Sequence, residues 1–181
     1  MLQRLLLHCL LAWVFVMLCF ASQPVRADDN KESLVKAAFM VNFIKFIEWP
    51  SDKSIPKQAK IDVCLFGDSN IINFSQVFKQ ASTQKLSISI VRENNIAAIP
   101  SHCHILFIGA TDRGREITDA LKSQPVLTVS DSPGFTEHGG MMGFVTDDGK
   151  IKLVVNKRAI ETGGMYVDAQ LLEIAFRVID N

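Results

Sequence analysis

The sequence has no run of basic residues, no internal repeat, no low-complexity stretch, and only two cysteines beyond its first 27 residues. Without clustered lysine and arginine, nucleic acid is excluded as the main partner, because phosphate binding depends on such clusters. A polybasic membrane patch is excluded on the same ground. Without repeats or linkers, residues 28–181 read as one domain. What is present is the balance of a folded globular chain: 181 residues, 48% apolar and 21% charged, with 19 basic against 19 acidic side chains. The first 27 residues hold two arginines and no acid, so the remaining 154 carry 17 basic and 19 acidic groups, a formal charge of −2.

Residues 1–20 place Arg4 before an apolar run that is continuous from Cys9 to Phe20, and Val25-Arg26-Ala27 puts small residues at the two positions a signal peptidase reads. The expectation is an export signal cleaved after Ala27, and hence a periplasmic protein. The rival is an uncleaved anchor, since about 16 apolar residues fall just below the spanning minimum of roughly 17. A lipoprotein is disfavoured because Cys9 and Cys19 follow His8 and Leu18 rather than a small residue.

Cys64 and Cys103 remain, and two thiols in an exported chain are expected to be joined. The rival is a metal site, because His102-Cys103-His104 clusters ligand types. On a strand, His102 and His104 would share one face and Cys103 the other, which counts against metal. No metal and no cofactor is therefore expected.

Behind Asp29-x-x-Glu32, an acidic relative of the capping box, apolar residues from Leu34 to Trp49 predict a helix ended by Pro50 and apolar on most of its circumference. Short apolar runs at residues 61–67, 104–109 and 125–130, and the period-two run 86–91, read as strands alternating with helices at about 71–82 and 112–122. Asp148-Gly149 between two strand-like runs predicts a type I′ hairpin. Asp168 is expected to cap a last helix running to the end through Leu171, Leu172, Ala175, Val178 and Ile179. The sum is an α/β three-layer sandwich with a mostly parallel sheet flanked by helices and a C-terminal antiparallel hairpin.

Catalytic constellations fail on inspection. Phe66-Gly67-Asp68-Ser69 imitates the nucleophile block of Gly-Asp-Ser hydrolases, but the residues three before His102, His104 and His138 are Ile99, Ser101 and Phe135, where the base needs an aspartate. Gly109-x-x-x-x-Gly114 has phosphate-loop spacing but continues as Arg115-Glu116, without the lysine and hydroxyl that chemistry requires. Asp131-Ser132-Pro133-Gly134 is first of all a turn, with Asp131 expected to serve backbone amides there. No catalytic residue is assigned and the chain is not expected to be an enzyme.

Several blocks in order resemble one family: residues 35–50 ending in Glu48-Trp49-Pro50, Val63-Cys64-Leu65-Phe66-Gly67-Asp68, Cys103 to Ile108, Val129-Ser130-Asp131-Ser132-Pro133-Gly134-Phe135, Gly139-Gly140, Lys152 to Asn156, and Leu171 to Ala175. The series is similar to the YfiR-like family and covers nearly all of residues 31–181. The resemblance implies a non-enzymatic periplasmic repressor that grips the outer portion of an inner-membrane diguanylate cyclase and so lowers cyclic di-GMP and biofilm formation, until capture by an outer-membrane-associated lipoprotein releases the cyclase and raises cyclic di-GMP. It also implies a homodimer and redox sensitivity. Cys64 and Cys103 match one disulfide of the family; a second pair is absent, as residues 141–156 hold no cysteine. Expected contact surfaces are the N-terminal helix (Phe39, Phe43, Phe46, Trp49), then the hairpin and following loop (Phe144, Ile151, Glu161, Tyr166), each of which is equally a candidate for the core. The alternative function is a small-molecule or peptide sensor using a pocket at the carboxyl ends of the strands, near Gly67, Gly109 and Asp131.

Overall fold

Alternation along the central strands decides the architecture. Ile61, Val63 and Leu65, Ile105 and Phe107, and Leu127 and Val129 lie in one buried cluster, while Cys64, Phe66, Leu106 and Ile108 lie in a second. Successive side chains of a strand point to opposite faces, so both faces of this sheet need a cover. In the computed structural model, which describes residues 27–50, 59–69, 75–83 and 86–180, helices supply it. The chain divides into a unit ending at Lys31, described only as helical backbone from Ala27, and a unit from Glu32 onward that holds both sheets.

The elements in order are α1 (Ala27–Phe46), β1 (Ile47–Glu48), β2 (Ala59–Phe66), α2 (Ser75–Ala81), β3 (Leu86–Arg92), α3 (Ile99–His102), β4 (Ile105–Ile108), α4 (Gly114–Leu121), β5 (Leu127–Ser130), β6 (Met142–Asp147), β7 (Lys150–Asn156), α5 (Lys157–Thr162), β8 (Tyr166–Val167), α6 (Ala169–Ile174) and β9 (Arg177–Ile179). Seven strands form one sheet in the order β3-β2-β4-β5-β6-β7-β9. The run from β3 to β6 is parallel; β7 turns back on β6, and β9 lies parallel to β7. Ala37, Met40, Phe43 and Ile44 of α1, with Phe78, Ile160 and Leu171 of α2, α5 and α6, cover the first face. Ile99, Ile117 and Leu121 of α3 and α4 cover the second. The expected mostly parallel α/β sandwich is thus the observed fold. Among the described residues no helix is long and apolar enough to cross a membrane, and the expected export signal lies outside them.

The hairpin turn has Asp148 at φ 50° and Gly149 at φ 67°, the left-handed pair a type I′ turn requires. Three local expectations are corrected, and one helix is added. α1 stops at Phe46, before Pro50, because Ile47 and Glu48 pair antiparallel with Val167 and Tyr166. Its helical backbone already runs from Ala27, so Asp29 lies inside the helix rather than at its cap. The last helix, capped by Asp168 through the Gln170 amide at 2.7 Å, ends at Ile174. Beyond it Phe176 N donates to Leu153 O at 2.8 Å, and Arg177–Ile179 joins the open edge of β7. β-branched Val178 and Ile179 suit a strand, and the ladder gives their backbone partners that a fraying helix end lacks. Finally, α5 was not foreseen; Asn156 caps it by accepting from Ala159 N at 2.9 Å, a signal readable as asparagine at an N-cap.

Cys64 of β2 and Cys103 after α3 form a disulfide with Cα atoms 5.8 Å apart, both fully buried in the second cluster. It links chain positions 39 residues apart, which on the loop-entropy model is worth about 4 kcal/mol. We expect the Cys64→Ala/Cys103→Ala double variant to melt roughly 10 °C lower than the oxidised wild type, as followed by circular dichroism; an unshifted melt would contradict it.

Candidate functional site

The loops leaving the carboxyl ends of β4 and β5 bring Thr111, Asp112, Asp131, Ser132 and His138 to the walls of two cavities. Ser130, fully buried at the end of β5, donates through Oγ to Ile108 O at 2.7 Å and accepts from Ser132 N at 3.1 Å. One hydroxyl therefore ties two strand ends together and shapes the turn after them. The Gly139-Gly140 pair serves the same turn. Gly139 stands at φ 92°, and a Cβ on Gly140 would run into the ring of Phe135. Since Ser130 takes the turn amide, the expected role of Asp131 is corrected: its carboxylate leaves the loop and meets Lys36 of α1.

Lys36 is only 6% exposed, and its Nζ lies 2.5 Å from both Asp131 and Glu32. Burial alone would pull the ammonium down. Hydrogen bonds and charge from Asp131 and Glu32 outweigh it and hold the Lys36 pKa above the ordinary lysine value. The ion pair thus fastens α1 to the end of β5, beside a cavity of about 360 Å³ bounded further by Pro133, Phe144 and Ile151. Sequence reasoning passed over Lys36; a lysine on the buried face of a helix, four residues after a glutamate, was the available signal.

A second cavity, about 490 Å³, opens beside it at the start of α4, where Thr111, Arg115, Ser132, Phe135 and His138 approach one another. His138 Nδ1 lies 2.6 Å from Gly134 O. The Gly-Asp-Ser imitation is a structural loop: Asp68 exchanges main-chain hydrogen bonds with Ala110 at 3.1 and 2.9 Å. The three histidines near in sequence to its rejected triads face other partners, His102 meeting Glu93, His104 the Asp62 amide and His138 Gly134. The phosphate-loop spacing is a strand-to-helix turn, in which Arg113 grips Glu116 with two hydrogen bonds of 2.8 Å.

The expected partner-binding residues separate into two sets. Phe43, Trp49 and Phe144 are at most 8% exposed. Phe43 stacks on Phe144 at 6.2 Å, so these three pack the first face of the sheet and offer little to another molecule. Phe39 and Phe46 of α1 and Ile151 of β7 are half-buried, whereas Glu161 and Tyr166 are exposed, Tyr166 at 63%. The outward side of α1 adds Leu34 and Val35, 45% and 40% exposed, and the β9 end adds Ile174 and Phe176. Exposed apolar groups in such number on one small domain suit contact with another molecule.

The strand argument used for the residues around Cys103 is also corrected. His102 ends α3 and Cys103 caps it, so neither lies on a strand. The His102 ring nitrogen and both sulfurs fall within 4.8 Å of one another, and His102 Nε2 lies 3.3 Å from Glu93 Oε2. Nearby on β2, Asp62 accepts from Ser89 Oγ and pairs with Lys60 Nζ at 3.1 Å. Burial would raise its pKa, but the Ser89 hydrogen bond, Lys60 and His104 outweigh it and hold the carboxyl below the usual aspartate value.

Residues 33–176 match a family model described as YfiR/HmsC-like. No curated protein matches the chain. Among solved structures, it is similar to the ABC domain in complex with L-Trp from Streptococcus pneumonia, at 14% identity and TM-score 0.54, over 79% of this chain and 60% of that one. It is also similar to a conserved domain protein from Vibrio cholerae o1 biovar eltor, at 15% identity and TM-score 0.52, over 78% of this chain and 60% of that one. At such identity these two share the fold alone, and the chain spans about 60% of the length of each.

Two outcomes follow. Asp131→Asn should destabilise by about 1–2 kcal/mol in urea, because it strips a buried ammonium of one partner while Glu32 stays and both carboxylates reach solvent; no loss would contradict this. For pH, the raised Lys36 value gives stability present throughout the range below 10.5 and lost only as pH climbs through the raised value. The lowered Asp62 value gives stability present above 3.8 and lost as pH falls through the depressed value. Asp62→Asn should therefore flatten the acid limb of a stability–pH curve and leave the alkaline limb alone; an unaltered acid limb would contradict the assignment.

Proposed function

The chain belongs to the YfiR/HmsC-like family, periplasmic non-catalytic regulators in cyclic di-GMP signalling, and on that footing we propose that it represses an inner-membrane diguanylate cyclase by direct protein–protein contact. The family match across residues 33–176 carries the reading. Repression works as a population shift: the protein prefers the inactive arrangement of the cyclase's periplasmic portion, and its removal lets the active one form. A swing from almost wholly off to almost wholly on needs about 5.5 kcal/mol of differential affinity. Capture on an outer-membrane-associated lipoprotein supplies the release, and the working form is a homodimer in the periplasm.

The contact surface we assign is the outer side of α1, with Leu34, Val35, Phe39 and Phe46, together with Tyr166 and Glu161. A second reading, a small-molecule or peptide sensor, is favoured by the 490 Å³ cavity at the carboxyl ends of β4 and β5. The two are compatible if a ligand there biases the hold on the cyclase.

Deleting the gene should raise cellular cyclic di-GMP, and the tagged protein should co-purify with an inner-membrane diguanylate cyclase. Val35→Glu should abolish repression with no change in melting temperature, since the side chain is 40% exposed. Unchanged cyclic di-GMP on deletion, with no cyclase captured, would overturn the repressor reading and leave the sensor.

A further inference from the structure

The sulfurs of Cys64 and Cys103 and a ring nitrogen of His102 lie within 4.8 Å of one another. Three ligand atoms for a thiophilic cation, two sulfurs and an imidazole nitrogen, thus converge from β2 and the end of α3, and Glu93, just past β3, completes the group. Glu93 Oε1 accepts from the amides of Asn94 and Asn95 at 2.8 and 2.7 Å, which fixes the carboxylate. Its Oε2 then faces His102 Nε2 at 3.3 Å. A carboxylate on one ring nitrogen orients the imidazole of a metal-binding histidine; the other nitrogen, Nδ1, meets Ser101 Oγ at 3.3 Å, a contact that a metal taking that nitrogen would replace. The sulfurs are fully buried, whereas His102 is one-third exposed, so a path from solvent runs past the imidazole.

We propose that the reduced form of this protein binds a thiophilic divalent cation, zinc foremost, through Cys64, Cys103 and His102, with Glu93 as the positioning residue. Around a tetrahedral zinc, such ligand atoms stand about 3.3–3.8 Å apart. The sulfurs need part by only about 1.7 Å from their bonded separation. The Cα separation of 5.8 Å accommodates this by side-chain rotation. Reduction by a dithiol delivers two electrons and two protons to the S–S bond, and the dithiol leaves as a disulfide. Each thiol then releases its proton to solvent as the sulfur takes the metal. Bridge and metal are therefore mutually exclusive staples at one place in the second core cluster, each restraining β2 against α3. Metal holds the fold when the bridge is open, and it opposes reoxidation.

The test uses the mature chain, reduced with a phosphine, which ends as phosphine oxide, then moved to anaerobic buffer and titrated with cobalt(II). The expected result is a thiolate-to-cobalt charge-transfer band that saturates at one equivalent and is bleached by zinc, with no band from the oxidised protein. His102→Asn should weaken binding at least roughly tenfold, and Glu93→Gln by about tenfold; His138→Asn, in the other cavity, should leave it unchanged. Circular dichroism should show the zinc-loaded reduced protein melting above the metal-free reduced protein. A reduced chain that gives no band, whether folded or unfolded, overturns the proposal. So does a band of equal affinity in His102→Asn, which would mark an unassisted dithiol.

Discussion

A sheet buried on both faces is the constraint on which the rest depends. The strands β2, β4 and β5 alternate their apolar side chains between two separate clusters, and neither face tolerates water without losing the apolar burial that opposes chain entropy. Both helical layers are thereby committed to covering it. The strand ends, the outer side of α1, the exposed Glu161 and Tyr166 and the two sheet edges, β3 and β9, remain for contact with other molecules.

This division explains where polar chemistry survives. Among the described residues, Lys36 is where the helical cover of the first face carries a buried charge, and it does so at the sheet's end, where Asp131 and Glu32 can meet it while touching solvent. Similarly, the disulfide sits in the second cluster but within reach of His102, which is one-third exposed. In both, a linkage between layers is made where the interior gives way to surface. A regulator that changes its grip on a partner needs such couplings, because displacing α1 or α3 alters them directly.

Period and punctuation made much of the fold legible. Continuous apolar runs marked the doubly covered strands, Asp148-Gly149 marked the hairpin, and Asp168 marked a cap. The failures share a physical cause. Val178 and Ile179 fitted a helical spacing, yet the vacant edge of β7 settled their conformation; Ile47 and Glu48 likewise answer to β8. Tertiary pairing overrides local pattern wherever a short segment finds an open ladder. For the site, residue types were readable but orientation was not. Phe43, Trp49 and Phe144 fitted contact and core equally in the sequence, and the chain buries them, while His102 looked strand-bound although it ends α3 with a ring nitrogen near the sulfurs.

The central claim is that this sandwich acts by holding another macromolecule inactive, without chemistry of its own. Its most direct test is reconstitution: the partner cyclase in lipid nanodiscs, turning over GTP, titrated with the purified mature protein added to the periplasmic side. The account requires cyclic di-GMP synthesis to fall saturably with added protein and to recover when the protein is removed. Synthesis that is indifferent to saturating protein would contradict it.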